Sequence, residues 1–163
     1  MALKYEKILY CTDFSEDADY AFLSALDMAE KYQARLFLLH VLHSPYKYMR
    51  TIVDDKEAGG EEAFISTETI EKGKQKLEDR YKPKLGGFTN CEFQVVGGVP
   101  FVEIVRFARA HNVDFIVLGA AGSSDLDRTT FGSTAENVAR RAHCTVMAIR
   151  YPGKTFQLDM LGK

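Results

Sequence analysis

Short, unbroken apolar runs alternate along this chain with longer stretches in which apolar residues recur every three or four positions. The first run, Lys7-Ile8-Leu9-Tyr10-Cys11, ends in Thr12-Asp13 and predicts a strand. Ser15 follows as an N-cap, with Glu16 and Asp17 at the positive end of the helix that it opens. Ala18, Ala21, Phe22, Ala25, Ala29 and Tyr32 give that helix its apolar face. Arg35 to Val41 is apolar almost throughout, as expected of a strand covered on both faces in a parallel sheet. Residues 43–60 carry Pro45, Asp54, Asp55 and Gly59-Gly60 and predict a mobile loop. From Glu61 to Tyr81 the chain is charged, with Phe64, Ile70, Leu77 and Tyr81 forming one buried stripe of an exposed helix that stops near Pro83. Gly73 weakens the middle of that helix, and Gly86-Gly87 predicts a turn.

Cys91 to Val96 predicts the third strand and Gly97-Gly98 its end. Pro100 suits the first turn of a helix whose apolar face is Phe101, Ile104, Val105 and Ala108. Asp114 to Leu118 predicts a strand running into Gly119. Gly132 to Arg141 has helical spacing at Ala135, Val138, Ala139 and Ala142, and Thr145 to Ile149 closes the series as a strand before a C-terminal tail, 151–163. Regular alternation of strand and helix predicts an α/β fold, a parallel sheet with helices on both faces in three layers. No linker or repeat divides the chain, so one domain, 1–163, is expected.

Composition narrows the function. At 163 residues the chain is long enough to bury about 70% of its unfolded surface without disulfides. Its 46% hydrophobic and 27% charged residues are ordinary for a soluble protein. Lys and Arg number 21 against 23 Asp and Glu, a formal charge of −2, which argues against a general nucleic-acid binder. Cys11, Cys91 and Cys144 are far apart, form no CxxC pair, and each lies in or beside an apolar run, so they read as small buried hydrophobes in a reducing, cytoplasmic setting. Met1 to Tyr5 shows no signal-peptide core, and Leu36–Leu42 is too short to span a bilayer.

Chemistry concentrates in Leu118 to Thr134. This segment starts at a strand end and finishes at a helix start, where open parallel sheets bind ligands. Gly119 and Gly122 let the backbone approach a ligand or take positive φ. Gly132-Ser133-Thr134 offers backbone N–H groups and two hydroxyls at a helix N-terminus, an anion site suited to phosphate. GxxxxGK[ST] is absent, and no GxGxxG follows the first strand. Asp13 reads as a ligand contact or a helix cap, Ser133 and Thr134 as caps, phosphate contacts or both, and Arg128 as a solvated charge or a phosphate clamp. His40 and His43, with Asp54 and Asp55 downstream, lack the convergence that a metal site needs. His143 sits where a helix C-terminus favours positive charge.

Gly119-x2-Gly122-x9-Gly132-Ser133 resembles the G-x2-G-x9-G-[ST] signature of ATP-binding universal stress proteins. Tyr5 to Glu16, Leu38-Leu39-His40-Val41, Gly97 to Ile104 and Ala135 to Ile149 resemble other parts of that family, so the likeness covers nearly the whole chain. The resemblance implies the adenine nucleotide alpha hydrolase-like fold, a five-stranded parallel sheet in the order 3-2-1-4-5. It also implies ATP, or AMP or ADP, in the crevice between strands one and four. Thr12, Asp13, Leu118 and Gly119 would lie there, with Asp13 near ribose or the phosphate–metal region and the Val41 backbone at adenine. Gly122, Gly132, Ser133 and Thr134 would hold phosphates, with Arg128 nearby. Mg²⁺ would be held mainly through phosphate oxygens and water. A homodimer through Thr145 to Ile149 and an unidentified protein partner are implied as well.

Ala120 and Ala121 depart from the basic or polar residues common between the family's first glycines, and Asp125 and Asp127 would repel a triphosphate that they faced. The leading expectation is a regulatory nucleotide binder without fast turnover. One rival is an enzyme, a slow ATP hydrolase or nucleotidyl transferase. Adenylating relatives carry an SGGxDS-type loop, which Cys11-Thr12-Asp13-Phe14-Ser15 does not match, and the glycine loop holds no histidine to act as a base. The other rival is a nucleotide-free dimeric interaction module.

Overall fold

A computed structural model describes residues 2–44, 65–121 and 131–152. The interior of the expected loop, Phe64, the expected helix start at Glu61, and Gly122, Asp125, Asp127 and Arg128 lie outside the described residues, as does most of the tail. The elements run β1 (Lys7–Thr12), α1 (Glu16–Tyr32), β2 (Arg35–His43), α2 (Thr67–Tyr81), β3 (Cys91–Gly98), α3 (Pro100–Ala110), β4 (Phe115–Gly119), α4 (Ser133–Arg141) and β5 (Thr145–Ile149). All pairings are parallel, in the order β3-β2-β1-β4-β5.

Alternation along the strands divides the core in two. On one face Ile8, Tyr10, Leu36, Leu38, Phe115 and Val117 pack against α1 and against Leu77 and Tyr81 of α2. On the other, Leu9, Cys11, Phe37, Leu39, Ile116 and Leu118 meet Ile104, Phe107 and Ala108 of α3 and Ala135 and Val138 of α4. Because both faces are covered, β1, β2 and β4 read as continuous apolar runs. Cys11 is buried, while Cys91 and Cys144 are half-buried; all three are free thiols.

Local signals set most boundaries. Ser15 caps α1 by accepting the Ala18 N–H at 3.3 Å, and Pro100 occupies the first turn of α3. Three boundaries differ from the sequence reading by two residues or more. β2 continues to His43, which pairs with Gly98, so His43 belongs to the sheet. β3 likewise runs through Gly97 and Gly98. Ile65 and Ser66 are not helical; Ser66 caps α2 by accepting the Thr69 N–H at 3.2 Å, and the helix starts at Thr67. Gly73 is there because α2 lies close on β3: a Cβ at that position would stand 3.3 Å from Val95.

Candidate functional site

The sheet reverses its winding between β1 and β4. The connection from β1 leads through α1 to β2 on one side, and that from β4 leads through α4 to β5 on the other. A crevice opens at the C-terminal ends of the two strands for that reason. It forms a cavity of about 650 Å³, within the usual range for small-molecule sites. Thr12, Asp13, Val41, Leu118, Gly119, Gly132, Ser133 and Thr134 all line it, although the sequence separates the first from the last by more than a hundred residues. Gly122 and Arg128 lie outside the described residues.

Each of these residues has a local reason for its position. Thr12 is buried, with its hydroxyl 2.7 Å from that of Tyr81 and accepting the Phe14 N–H at 3.0 Å. Its side chain is thus engaged in shaping the turn after β1. Asp13 is exposed at the cavity edge and accepts the Ser15 N–H at 3.0 Å, a local turn at the start of α1. Gly119 is required by packing: a Cβ there would stand 2.7 Å from the Ala18 nitrogen and 2.9 Å from the Asp17 carbonyl carbon. Its φ is not positive, so close approach of α1 is the reason for glycine.

The start of α4 differs from the expectation in two ways. Gly132, rather than Ser133 or Thr134, is the N-cap, and no side chain caps the helix. The Gly132 N–H is not free, since it donates to the Ala120 carbonyl at 2.7 Å. Anion-binding capacity therefore shifts to the N–H groups of the first helical turn and to the hydroxyls of Ser133 and Thr134.

Sequence reasoning missed several lining residues. Val99, Pro100, Phe101 and Ile104 supply an apolar wall from the start of α3, together with Leu39 of β2. In the sequence Phe101 and Ile104 read as the apolar face of a helix and Pro100 as its first turn, with no sign that they face a ligand. His40 also lines the cavity. Its Nδ1 lies 2.8 Å from the Thr12 carbonyl oxygen, so Nδ1 carries the hydrogen, and its ring packs 4.5 Å from that of Phe14. Burial, with Lys76, pushes its pKa below the ordinary histidine value against the pull of the Thr12 carbonyl and Asp13. Among the described lining residues there is no lysine or arginine. The described residues also contain no group of three or more His, Cys, Asp or Glu able to hold a metal. No described helix is long and apolar enough to cross a membrane.

Comparison with known proteins agrees with this architecture. The universal stress protein MJ0531 of Methanocaldococcus jannaschii is 31% identical over 151 residues, spanning 92% of this chain and 85% of its own. The solved structure of MJ0577 from the same organism superposes with a TM-score of 0.71 at 29% identity, covering 93% of this chain and all of that one. A universal stress protein of Archaeoglobus fulgidus, solved in complex with dAMP, shares the fold with a TM-score of 0.62 at 21% identity, over 90% of this chain and 99% of its own. The fold is the adenine nucleotide alpha hydrolase-like one. The sequence profile described as "Universal stress protein family" matches residues 4–150, and with that match spanning every strand of the sheet, this chain belongs to the universal stress protein family.

Proposed function

We propose that this chain binds an adenine nucleotide, ATP or its relatives AMP and ADP, between β1 and β4 and holds it without fast turnover, as a regulatory or stress-response protein. The observation that carries this reading is the cavity itself: one space gathers the open N-terminus of α4, the strand-end residues Thr12 and Asp13, and an apolar wall. That combination suits a ligand with an anionic end, a hydroxylated middle and a flat apolar end. The dAMP held by the Archaeoglobus fulgidus protein supports adenine as the base.

In this reading Val99, Pro100, Phe101 and Ile104 flank the base and the Val41 backbone supplies its polar contacts. Asp13 accepts from ribose hydroxyls or faces a hydrated cation. The first amides of α4, with Ser133 and Thr134, meet phosphate. Mg²⁺ fits as a companion of the nucleotide, held through phosphate oxygens and water. Fast hydrolysis would need an oriented water and positive charge at the leaving phosphate. The described lining offers amides and hydroxyls, the glycine-rich segment of the sequence adds one arginine, Arg128, and no lysine, Asp125 and Asp127 there oppose charge stabilisation, and His40, disposed to be neutral, brings no charge. Turnover well below ~1–10³ s⁻¹ is therefore expected. The same reading takes 1–163 as one cytoplasmic domain that acts on a protein partner according to its nucleotide state.

Mass analysis of small molecules released by denaturing the purified protein tests the ligand directly, and an adenine nucleotide is expected. In Gly132→Val the branched side chain is set at the α4 N-terminus. The φ of −65° and ψ of 149° at that position suit any residue, so the fold should survive while ATP binding is lost. A variant that binds ATP like the parent would remove the phosphate assignment. Hydrolysis at several turnovers per second, lost in Gly132→Val, would make the protein an enzyme instead.

A further inference from the structure

An acid in the first turn of a helix usually stays in water, where it favours the helix dipole. Asp17, in the first turn of α1, is instead 1% exposed. A carboxylate removed from water is tolerated only where donors replace the lost hydration. Backbone amides remote in sequence do so here. Oδ2 accepts the N–H of Ala121, two residues past the end of β4, at 3.1 Å. Oδ1 accepts the N–H of Tyr151, two residues past the end of β5, also at 3.1 Å. The two chain exits are thus tied to one carboxylate.

The neighbouring contacts extend this tie to the cavity. Gly119 lacks a side chain where the backbone of Asp17 and Ala18 presses on β4. Ser15 reaches the Ala121 carbonyl at 3.5 Å. Ala120, beside Ala121, donates to the Ile149 carbonyl at 2.8 Å and accepts the Gly132 N–H at 2.7 Å. Gly132 is the N-cap of α4. A connected path therefore runs from the Asp17 carboxylate through Ala121 and Ala120 to the α4 N-terminus, while α1 also fixes the turn that carries Asp13.

We propose that Asp17 is a positioning residue: its buried carboxylate sets the α4 N-terminus, the phosphate-facing end of the cavity, relative to the end of β1. It touches no ligand in this scheme and acts through Ala120, Ala121 and Gly132. The ligand part rests on the adenine-nucleotide reading above; the positioning part does not.

The test is Asp17→Asn, which keeps the volume but replaces one acceptor oxygen by an NH₂ donor that faces a backbone N–H. Two measurements are made on the full chain after circular dichroism confirms the fold. The first compares the Kd of ATP and of adenosine. ATP should weaken by about tenfold or more, while adenosine, which lacks phosphate, should change by less than about threefold. A general loss of stability would weaken both alike. The second is amide hydrogen exchange without ligand, which should accelerate at Ala121 and Tyr151 and, along the path, at Gly132. Equal weakening of ATP and adenosine, or no weakening of either, overturns the proposal. If the parent binds neither compound, the nucleotide reading fails by itself, and exchange then decides: acceleration at Ala121 and Gly132 sustains the positioning role, and unchanged exchange there overturns it. Should Asp17→Asn not fold, Asp17→Ser, a smaller side chain with one acceptor, takes its place under the same criteria.

Discussion

Single residues at this site do two jobs, and His40 shows how they combine. Its Nδ1–H holds the Thr12 carbonyl at the end of β1 while the ring lines the cavity. The fold favours the neutral ring, because burial and Lys76 outweigh Asp13 and the Thr12 carbonyl. The unfolded chain therefore binds more protons just below the ordinary histidine value of 6.5. The sign follows: the His40 contribution to stability is complete above that value and is lost as the pH falls through it. Thermal unfolding at about pH 7.5 and about pH 5.5 should show His40→Gln losing less than the parent over the interval. An equal loss in both would show that His40 does not carry this acid sensitivity. Gly119 makes the same point in backbone terms: it serves the fold by admitting α1, and the site by leaving the crevice open.

At the scale of elements, α2 reaches the site without lining it. The Tyr81 hydroxyl donates to Asp19 at 2.8 Å, lies 2.7 Å from Thr12 Oγ1, and is 3.0 Å from the hydroxyl of Tyr10, which itself donates to the Ala18 carbonyl at 2.7 Å. Burial pushes the Tyr81 pKa up to about 12, so it stays a donor. Asp19 would be raised by burial, but the hydrogen bonds of Arg80 and Tyr81 and the Arg80 charge hold it below the usual carboxylate range. Arg80 pairs with Asp19 and also donates to the Phe14 carbonyl at 3.3 Å. Phe14 has a φ of 63°, unusual for an aromatic residue. The turn after β1 is thus held by α1, α2 and β2 together. Tyr81→Phe leaves the hydroxyl of Thr12 and the carboxylate of Asp19 without this partner, and a loss of about 1–3 kcal/mol is expected. Urea denaturation measures it; a change within about 0.5 kcal/mol would mean that the network relaxes around the missing hydroxyl.

For the whole molecule, the order β3-β2-β1-β4-β5 decides both where the cavity forms and which strands remain at the edges. β5 is one edge, and Val146 to Ile149 are only half-buried on it. An apolar edge of this kind favours pairing, and we propose that β5 pairs two-fold with its copy, which would close the assembly. A dimer is therefore expected in sedimentation at micromolar concentration, and Met147→Asp should shift it toward monomer. A parent that sediments only as monomer would dismiss the interface. In such a dimer Asp17 would link that edge to the cavity, because the chain leaving β5 and the chain leaving β4 share its carboxylate.

The strands, the helices on both faces and the glycine-rich segment after β4 are legible along the chain alone. These are local or periodic signals: buried parallel strands are continuously apolar, Ser15 and Pro100 announce helix starts, and the glycine spacing is read along the chain. The signals failed where a polar residue continues a strand, as at His43, and just before α2, where Ile65 and Ser66 stay outside the helix. What each group bonds to and packs against appears only in the completed fold. Asp17 looks like any first-turn acid until Ala121 and Tyr151 arrive beside it. Gly119 gains a second reason to be glycine when α1 presses on it, and Ser133 looks like a cap until Gly132 takes that place. Phe101 and Ile104 look like core until α3 brings them to the crevice. The physical reason is common to all of these. Propensity and periodicity depend on near neighbours, whereas burial and hydrogen-bond partnership depend on groups that only the completed sheet brings together.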